Sequence, residues 1–204
     1  MIIIDCEQMS EQWFAEKAGK PGASSFDKIV TTKGEPSKQA KNYLYQLAGE
    51  TLTGLKAESY QNANMLRGIE LEPDARSLFE MIHDVEVERV GLCYPDEQKK
   101  YLCSPDGLIG NEGLEIKCPI MHTHVSYLLE QKLPTEYFQQ VQGSMAVTGF
   151  EAWWFMSYYP GIAPFIIKVV RDDAFITKLT AELDSFCQEL AMTVKKLREL
   201  GGDQ

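Results

Sequence analysis

Three charged side chains lie close together in the middle of the sequence, where Asp106 is followed by Glu115 and then Lys117. The glycine-rich residues 110–113 predict a turn between two strands, and the residues after them alternate apolar and charged as a strand does. Because successive side chains of a strand point to opposite faces, Glu115 and Lys117 share one face. Asp106 precedes the turn and returns alongside them. Two carboxylates and an ammonium at one point can hold a divalent cation and position a water for attack on a phosphodiester.

The same pattern also has an ordinary structural explanation. Charged residues that alternate along a strand usually form its solvated face, and an Asp-Gly or Glu-Gly pair is usually only a turn. The surroundings favour the chemical interpretation, because Leu108, Ile109, Leu114 and Ile116 predict a strand pair in the interior of a sheet. Acids in such a place are costly unless they bind a metal or another partner.

Length and composition indicate one globular domain over residues 1–204, with 44% apolar and 25% charged residues. The apolar residues 1–4 are followed at once by acids, so we expect neither a signal peptide nor a membrane span there. The five cysteines are scattered and lack CxxC spacing, which favours reduced thiols in a cytosol over disulfides or a zinc site.

The net charge of −10 argues against a protein that coats nucleic acid generally, because such proteins carry a basic footprint. It does not exclude a nuclease, since acids can cover the outside while Lys and Arg line a restricted channel.

The hydrophobic pattern predicts helices on both sides of a central sheet, and therefore an α/β (α+β) domain with a mixed sheet. Pro73 is expected to kink or restart the helix that contains it. Helices are predicted near 11–18, 24–30, 37–52, 63–82, 122–130, 135–147 and 172–200, and strands at 85–94, 100–103, 107–117, 152–159 and 165–170.

Further polar residues are candidates for the same site. Gln140, on a predicted helix, can both donate to and accept from a water or a phosphate oxygen, and Glu72 can support a second metal through water. Each also fits an ordinary solvated helix face. His122 and His124 are the closely spaced histidines of the chain and are candidates for substrate contact.

A second candidate cluster lies near the start of the chain. Lys17, Lys20, Ser24 and Ser25 flank glycines, and ammonium, hydroxyl and backbone N–H groups together can bind a terminal phosphate.

Three ordered motifs carry a family resemblance: GIELEPDARSLFE, CSPDGLIGNEGLEIKCP and YFQQVQGSMAVTG. They resemble the phage lambda exonuclease (YqaJ-like viral recombinase) family, which belongs to the restriction-endonuclease-like PD-(D/E)XK nucleases. The resemblance extends from Trp13 to the final helix. It implies a restriction-endonuclease-like core, in which helices flank a central mixed β-sheet.

The resemblance also implies roles for single residues. Asp106 and Glu115 match the metal-binding carboxylates, and the backbone carbonyl of Ile116 matches a further ligand. Lys117 matches the lysine that positions or deprotonates the attacking water, and Gln140 matches the glutamine near that water.

Other matches concern the second metal and the DNA end. Glu72 matches a helix acid that supports the second metal. Ser24 and Ser104 match hydroxyls near a 5′-phosphate pocket, and Lys17 stands where an arginine is usual. Met65 matches an apolar residue that wedges apart the terminal base pair.

The resemblance has one clear departure, because a second pocket arginine has no counterpart. His122 and its neighbours occupy that region, and Lys at position 17 does not reproduce bidentate Arg recognition.

The function implied by the resemblance is a Mg²⁺-dependent 5′→3′ double-strand DNA exonuclease. Mn²⁺ can substitute, and two ions are expected. The products would be 5′-mononucleotides and a 3′ overhang for a phage-type single-strand annealing protein. Relatives form a trimeric ring around DNA, and the expected location is the bacterial cytosol, without membrane attachment.

Two alternatives remain open from the sequence. One is an endonuclease or a single-strand-specific repair nuclease on the same core. The other is a non-catalytic assembly protein with a degenerate nuclease fold, against which the intact Asp106, Glu115 and Lys117 argue.

Overall fold

The computed structural model describes residues 1–56 and 63–201 of the chain. Within these ranges six strands and six α-helices follow one another, with 3₁₀ segments at Ala23–Lys28 and Thr135–Tyr137. The strands are β1 (Ile2–Ile4), β2 (Leu92–Tyr94), β3 (Gly107–Ile109), β4 (Glu112–Lys117), β5 (Ala152–Ser157) and β6 (Phe165–Val170). The helices are α1 (Glu11–Lys17), α2 (Ala40–Thr53), α3 (Ala63–His83), α4 (Met121–Glu130), α5 (Phe138–Thr148) and α6 (Asp173–Gly201).

The central sheet has the order β3-β4-β5-β6. β3 and β4 form an antiparallel hairpin, β4 runs parallel to β5, and β6 closes the sheet antiparallel to β5. The predicted mixed sheet is therefore confirmed. In this register Glu115 lies opposite Phe155 on β5, so the two side chains share a face of the sheet.

Helices cover both faces of the sheet. On the face that carries Phe155, α2, α5 and α6 supply the main core, which includes Met145 and Leu179. On the other face, Ala75 and Phe79 of α3 pack among the buried side chains of the hairpin strand β4. The alternation of β4 therefore turns Glu115 and Lys117 toward α5 and Leu114 and Ile116 toward α3. The predicted division of these four residues between two faces is confirmed.

Several predicted boundaries are wrong. The strand expected over 85–94 is confined to β2, because the backbone of Glu88 instead makes an isolated bridge to Leu108 of β3. The strand expected at 100–103 is reduced to isolated bridges, which pair Leu102 with Gly22 and Cys103 with Cys93. The hairpin turn is shorter than predicted, since β4 already begins at Glu112.

Two further differences concern the helices and the first strand. α3 continues through Pro73 without a break, so the predicted restart of this helix is wrong. The first residues, which the sequence did not identify as a strand, form β1 and pair with β2 in a separate two-stranded sheet. No helix in the described ranges has a stretch that is both long and apolar enough to cross a bilayer.

Candidate active site

Asp106 is held against strand β4 by two backbone hydrogen bonds. Its N–H donates to the carbonyl of Leu114 at 3.1 Å, and its Oδ2 accepts from the N–H of Ile116 at 2.6 Å. The carboxylate therefore has a fixed position beside the strand that carries Glu115, as the sequence predicted.

Glu115 is the centre of the site and is only 2% exposed. Its Oε1 accepts a hydrogen bond from Gln140 Nε2 at 2.6 Å and lies 2.5 Å from Lys117 Nζ. The Lys117 ammonium also stands 5.2 Å from the centre of the Tyr137 ring. The buried carboxylate of Glu115 thus contacts one cation, the Lys117 ammonium, and one amide donor, that of Gln140.

The charges of the site act strongly on one another. Burial raises the pKa of Asp106 well above its usual value, and the Glu115 carboxylate adds to this, opposed by Lys117. Burial alone would lower the pKa of Lys117, but the carboxylates of Glu115 and Asp106 outweigh it and raise the pKa. Lys117 is therefore an ammonium in this arrangement. The carboxylates of Glu115 and Asp106 both interact with its positive charge.

These residues fit a divalent cation that prefers oxygen ligands. Asp106, Ile116 and Lys117 border a cavity of about 300 Å³, and Glu72 of α3 borders it as well. The described residues contain no tight cluster of three His, Cys, Asp or Glu ligands. The candidate donors are the carboxylates of Asp106 and Glu115 and the backbone carbonyl of Ile116, and oxygen donors of this kind suit Mg²⁺ or Mn²⁺ better than zinc. A cation here would offset the burial and the repulsion from Glu115 that raise the pKa of Asp106.

Arg76 on α3 links the helix acid to the hairpin, a role that the sequence reading missed. Its guanidinium forms an ion pair with Glu72, and its Nε donates to the backbone carbonyl of Asp106 at 3.2 Å. The i, i+4 spacing of Glu72 and Arg76 was visible in the sequence, but such pairs are common on solvated helix faces. Arg76 is instead buried.

The residues assigned to a phosphate pocket come together beside this site. Lys17, Ser24, Ser104 and Gln140 border a small cavity of about 30 Å³. Gln140 therefore lies between this cavity and Glu115. The Ser104 hydroxyl donates to a backbone carbonyl, that of Gly91, at 2.6 Å.

Trp13 fixes both Ser104 and Lys17. Its Nε1 donates to Ser104 Oγ at 2.9 Å, and the Lys17 ammonium lies 3.8 Å from the centre of a Trp13 ring. Burial lowers the pKa of Lys17 to about 7, and the positive charge of Lys56 adds to the effect. Lys17 is thus a cation whose charge depends on pH near neutrality.

The structure does not bring every predicted residue to the site. His122 is exposed and is not among the residues that border either cavity. His124 is buried, with Nδ1 2.8 Å from Ser157 Oγ and Nε2 3.0 Å from the carbonyl oxygen of Ala163, so it is a core residue. Met65 belongs to the first turn of α3, but its side chain lies outside the described part of the chain.

The chain is similar to known proteins both in sequence and in structure. The profile of the YqaJ-like viral recombinase domain matches residues 12–151. Two crystal structures of LHK-Exo, an alkaline exonuclease from Laribacter hongkongensis, one of them in complex with dAMP, are similar at a TM-score of 0.85 and 34% identity. Each match covers 94% of this chain and 98% of that one.

A third solved structure shares the fold alone. It is a phage related exonuclease from Haemophilus somnus 129PT, with a TM-score of 0.68, 16% identity and coverage of 87% of this chain and 96% of the other. No curated protein sequence matched the chain.

Proposed function

Since the chain belongs to the YqaJ-like viral recombinase family, we propose that it is a Mg²⁺-dependent exonuclease that degrades double-stranded DNA from 5′ to 3′ and leaves 3′ single-stranded overhangs. The membership confirms the family resemblance and the restriction-endonuclease-like fold expected from the sequence. The protein is a nuclease, and its similarity to an alkaline exonuclease over nearly the whole chain supports exonuclease action.

The observation that carries the proposal is the environment of Glu115. A carboxylate that is 2% exposed, with a second, partly buried carboxylate beside it, is costly in a fold unless the pair binds a cation. Lys117 and Gln140 compensate only part of that cost. Asp106 and Lys117 border one cavity, and Glu115 contacts Lys117 beside it. A lysine grouped with two carboxylates next to a cavity is the arrangement that metal-assisted phosphodiester hydrolysis needs.

Each side chain has a role in the proposed reaction. Asp106, Glu115 and the carbonyl of Ile116 would hold the ion, whose chemistry when bound is to polarise the phosphodiester and activate water. Lys117 positions that water and stabilises the charge that develops on the phosphate. Gln140 holds Glu115 in place and can orient the water. Glu72 supports a second ion from α3, and Arg76 orients Glu72.

The phosphate pocket explains how an end would be recognised. Lys17, Ser24 and Ser104 would bind the terminal 5′-phosphate, so that the first internucleotide bond lies at Glu115. Met65 would separate the terminal base pair, and His122 would contact the strand near the position of the missing arginine. Hydrolysis there releases 5′-mononucleotides.

The assembly and partners belong to the proposal as well. We infer that residues 1–204 form one nuclease domain, since the main core joins α2, α5 and α6 to the sheet. A homotrimeric ring would let a chain of net charge −10 thread DNA through a restricted channel. The 3′ overhang would pass to a phage-type single-strand annealing protein in the cytosol of the bacterial host.

The test compares linear duplex DNA with nicked and covalently closed circles, each incubated with Mg²⁺, with Mn²⁺ and with a chelator. We expect linear DNA to be degraded only with a metal and the closed circle to stay intact. Cutting of the closed circle would identify an endonuclease, and preference for single strands would identify a repair nuclease. No cleavage with any divalent metal would support a non-catalytic assembly protein.

A further inference from the structure

A larger basic cavity adjoins the small phosphate pocket. Its volume is about 350 Å³, against about 30 Å³ for the pocket, and Lys17 and Ser24 border both. Its wall also includes Lys28 from the end of the first 3₁₀ segment and Lys56, which follows α2. The two cavities therefore share part of their wall, and the larger one has room for more than one phosphate group.

Aromatic rings hold these lysines in place. The ammonium of Lys17 lies 3.8 Å and that of Lys56 5.3 Å from a ring of Trp13, while the ammonium of Lys28 lies 4.9 Å from the ring of Tyr43. A ring face positions a cation without cancelling its full charge as a carboxylate would. The three ammoniums are thus arranged before any ligand arrives.

Opposite charge in the cavity wall is limited. Lys20 also borders the cavity, but its ammonium forms an ion pair with Glu16. The distance from Lys20 Nζ to Glu16 Oε2 is 3.5 Å. The carboxylate of Glu50 accepts hydrogen bonds from the backbone N–H of Gly19 at 3.1 Å and from Gln46 at 2.9 Å. None of the ion pairs found in residues 1–56 and 63–201 contains one of the three stacked lysines.

The stacked lysines also repel one another. After burial, the positive charge of Lys56 is the next cause of the lowered pKa of Lys17. Burial lowers the pKa of Lys56 as well, and Lys28 adds to this while Glu50 opposes it. A cluster of like charges in one cavity is stabilised when an anion binds between them.

We propose that this cavity binds the β- and γ-phosphates of a 5′-di- or triphosphorylated DNA end, whose α-phosphate occupies the small pocket. The inference rests on the proposed end-directed cleavage and adds to it a class of substrate. Lys28 and Lys56 act as point charges on the additional phosphates, which a monophosphorylated end does not have.

The chemistry differs between the first step and all later ones. Water attacks the first internucleotide phosphorus, the P–O3′ bond breaks, and the released O3′ takes up a proton. The first product then carries its triphosphate, and the shortened strand carries a 5′-monophosphate. Only release of the first nucleotide is therefore sensitive to Lys28 and Lys56.

The first experiment measures kcat/KM for release of the first nucleotide from triphosphorylated and from monophosphorylated ends. We expect the Lys28→Gln/Lys56→Gln variant to lower the triphosphate-to-monophosphate ratio about tenfold. The control is Lys41→Gln, since Lys41 is an exposed lysine on α2 whose ammonium lies over the Tyr45 ring at 5.9 Å, outside the cavity. An unchanged ratio in the double variant would overturn the proposal while leaving the exonuclease intact.

A second readout does not depend on cleavage. In calorimetry, inorganic tripolyphosphate should bind the wild-type protein more tightly than inorganic phosphate, and Lys28→Gln/Lys56→Gln should weaken tripolyphosphate about tenfold. Thermal unfolding verifies that the variant is folded, and Lys28→Arg/Lys56→Arg should retain binding. Equal tripolyphosphate affinity in the wild type and the folded Gln variant would refute the cavity as a phosphate site even if the protein cleaved no DNA.

Discussion

Gln140 on α5 donates a hydrogen bond of 2.6 Å to Glu115 on β4, across the interface between helix and sheet. Gln140 also borders the small cavity that contains Lys17 and Ser24. One amide thus connects the proposed metal carboxylate with the proposed phosphate pocket. The distance between the bound end and the cleaved bond would be set by this contact.

Replacing Gln140 by Ala should therefore impair positioning more than folding. We expect the Mg²⁺ concentration for half-maximal activity to rise about tenfold, since partners of metal ligands usually contribute 10- to 100-fold (approximately) to affinity or activity. Gln188→Ala, at an exposed position of α6, serves as the control. A simple loss of thermal stability with an unchanged Mg²⁺ dependence would show that Gln140 has only a structural role.

Lys117→Ala should abolish cleavage and leave the fold and DNA binding largely intact. Loss of a group that acts on the attacking water costs about 10²-fold or more. Rates on linear duplex, circular dichroism and a DNA-binding assay measure the three properties. Lys132→Ala removes an exposed lysine that pairs with Glu130 at 3.3 Å, and should change none of them. Near-full activity of pure Lys117→Ala protein would make the assigned mechanism wrong.

End preference should depend on pH through Lys17, whose pKa is lowered to about 7. Its ammonium is present below that pH and is lost as the pH rises, so the preference for 5′-phosphate over 5′-hydroxyl ends should decline from about pH 6.5 to about pH 9. Because an arginine stays charged, Lys17→Arg should keep the preference across this range. Lys17→Ala should slow phosphorylated ends more than hydroxyl ends. Equal losses on both ends would remove Lys17 from the phosphate pocket.

Arg76→Met should lower the free energy of unfolding by about 3 kcal/mol, because Glu72 and the carbonyl of Asp106 would lose a buried partner. Urea unfolding measures the loss, and Arg89→Met, at an exposed arginine, is the control. Arg76→Lys should recover only part of it, since lysine lacks the guanidinium fork. Wild-type stability of Arg76→Met would show that this link contributes nothing.

Local patterns were enough to predict the hairpin and the residues that converge on it. Turn glycines and a period of two place Asp106 beside Glu115, and both features belong to a short stretch of chain. The strand predicted over 85–94 failed for the opposite reason. Its β-branched residues suit a strand, but only residues 92–94 form one, by pairing with β1 at the far start of the chain, while Glu88 makes only an isolated bridge.

Contacts between distant segments could not be predicted from the sequence. Arg76 reaches the backbone of Asp106, 30 positions later, and nothing in the local sequence marks that contact. The basic cavity likewise needs α1, the first 3₁₀ segment and the residue that follows α2, each of which contributes one stacked lysine. Lys17 was identified from its glycine-flanked cluster, whereas no local motif marks Lys28 or Lys56.

The central claim is that Asp106, Glu115 and Lys117 cleave DNA progressively from its 5′ ends. The most direct measurement uses linear duplex labelled separately at its 5′ and 3′ ends, with Mg²⁺ and purified protein. We expect the wild-type protein to release the 5′ label early, as mononucleotide, and the 3′ label late. The Lys117→Ala variant should release neither label. Early release of the 3′ label, or equal release of both from internal cuts, would contradict it.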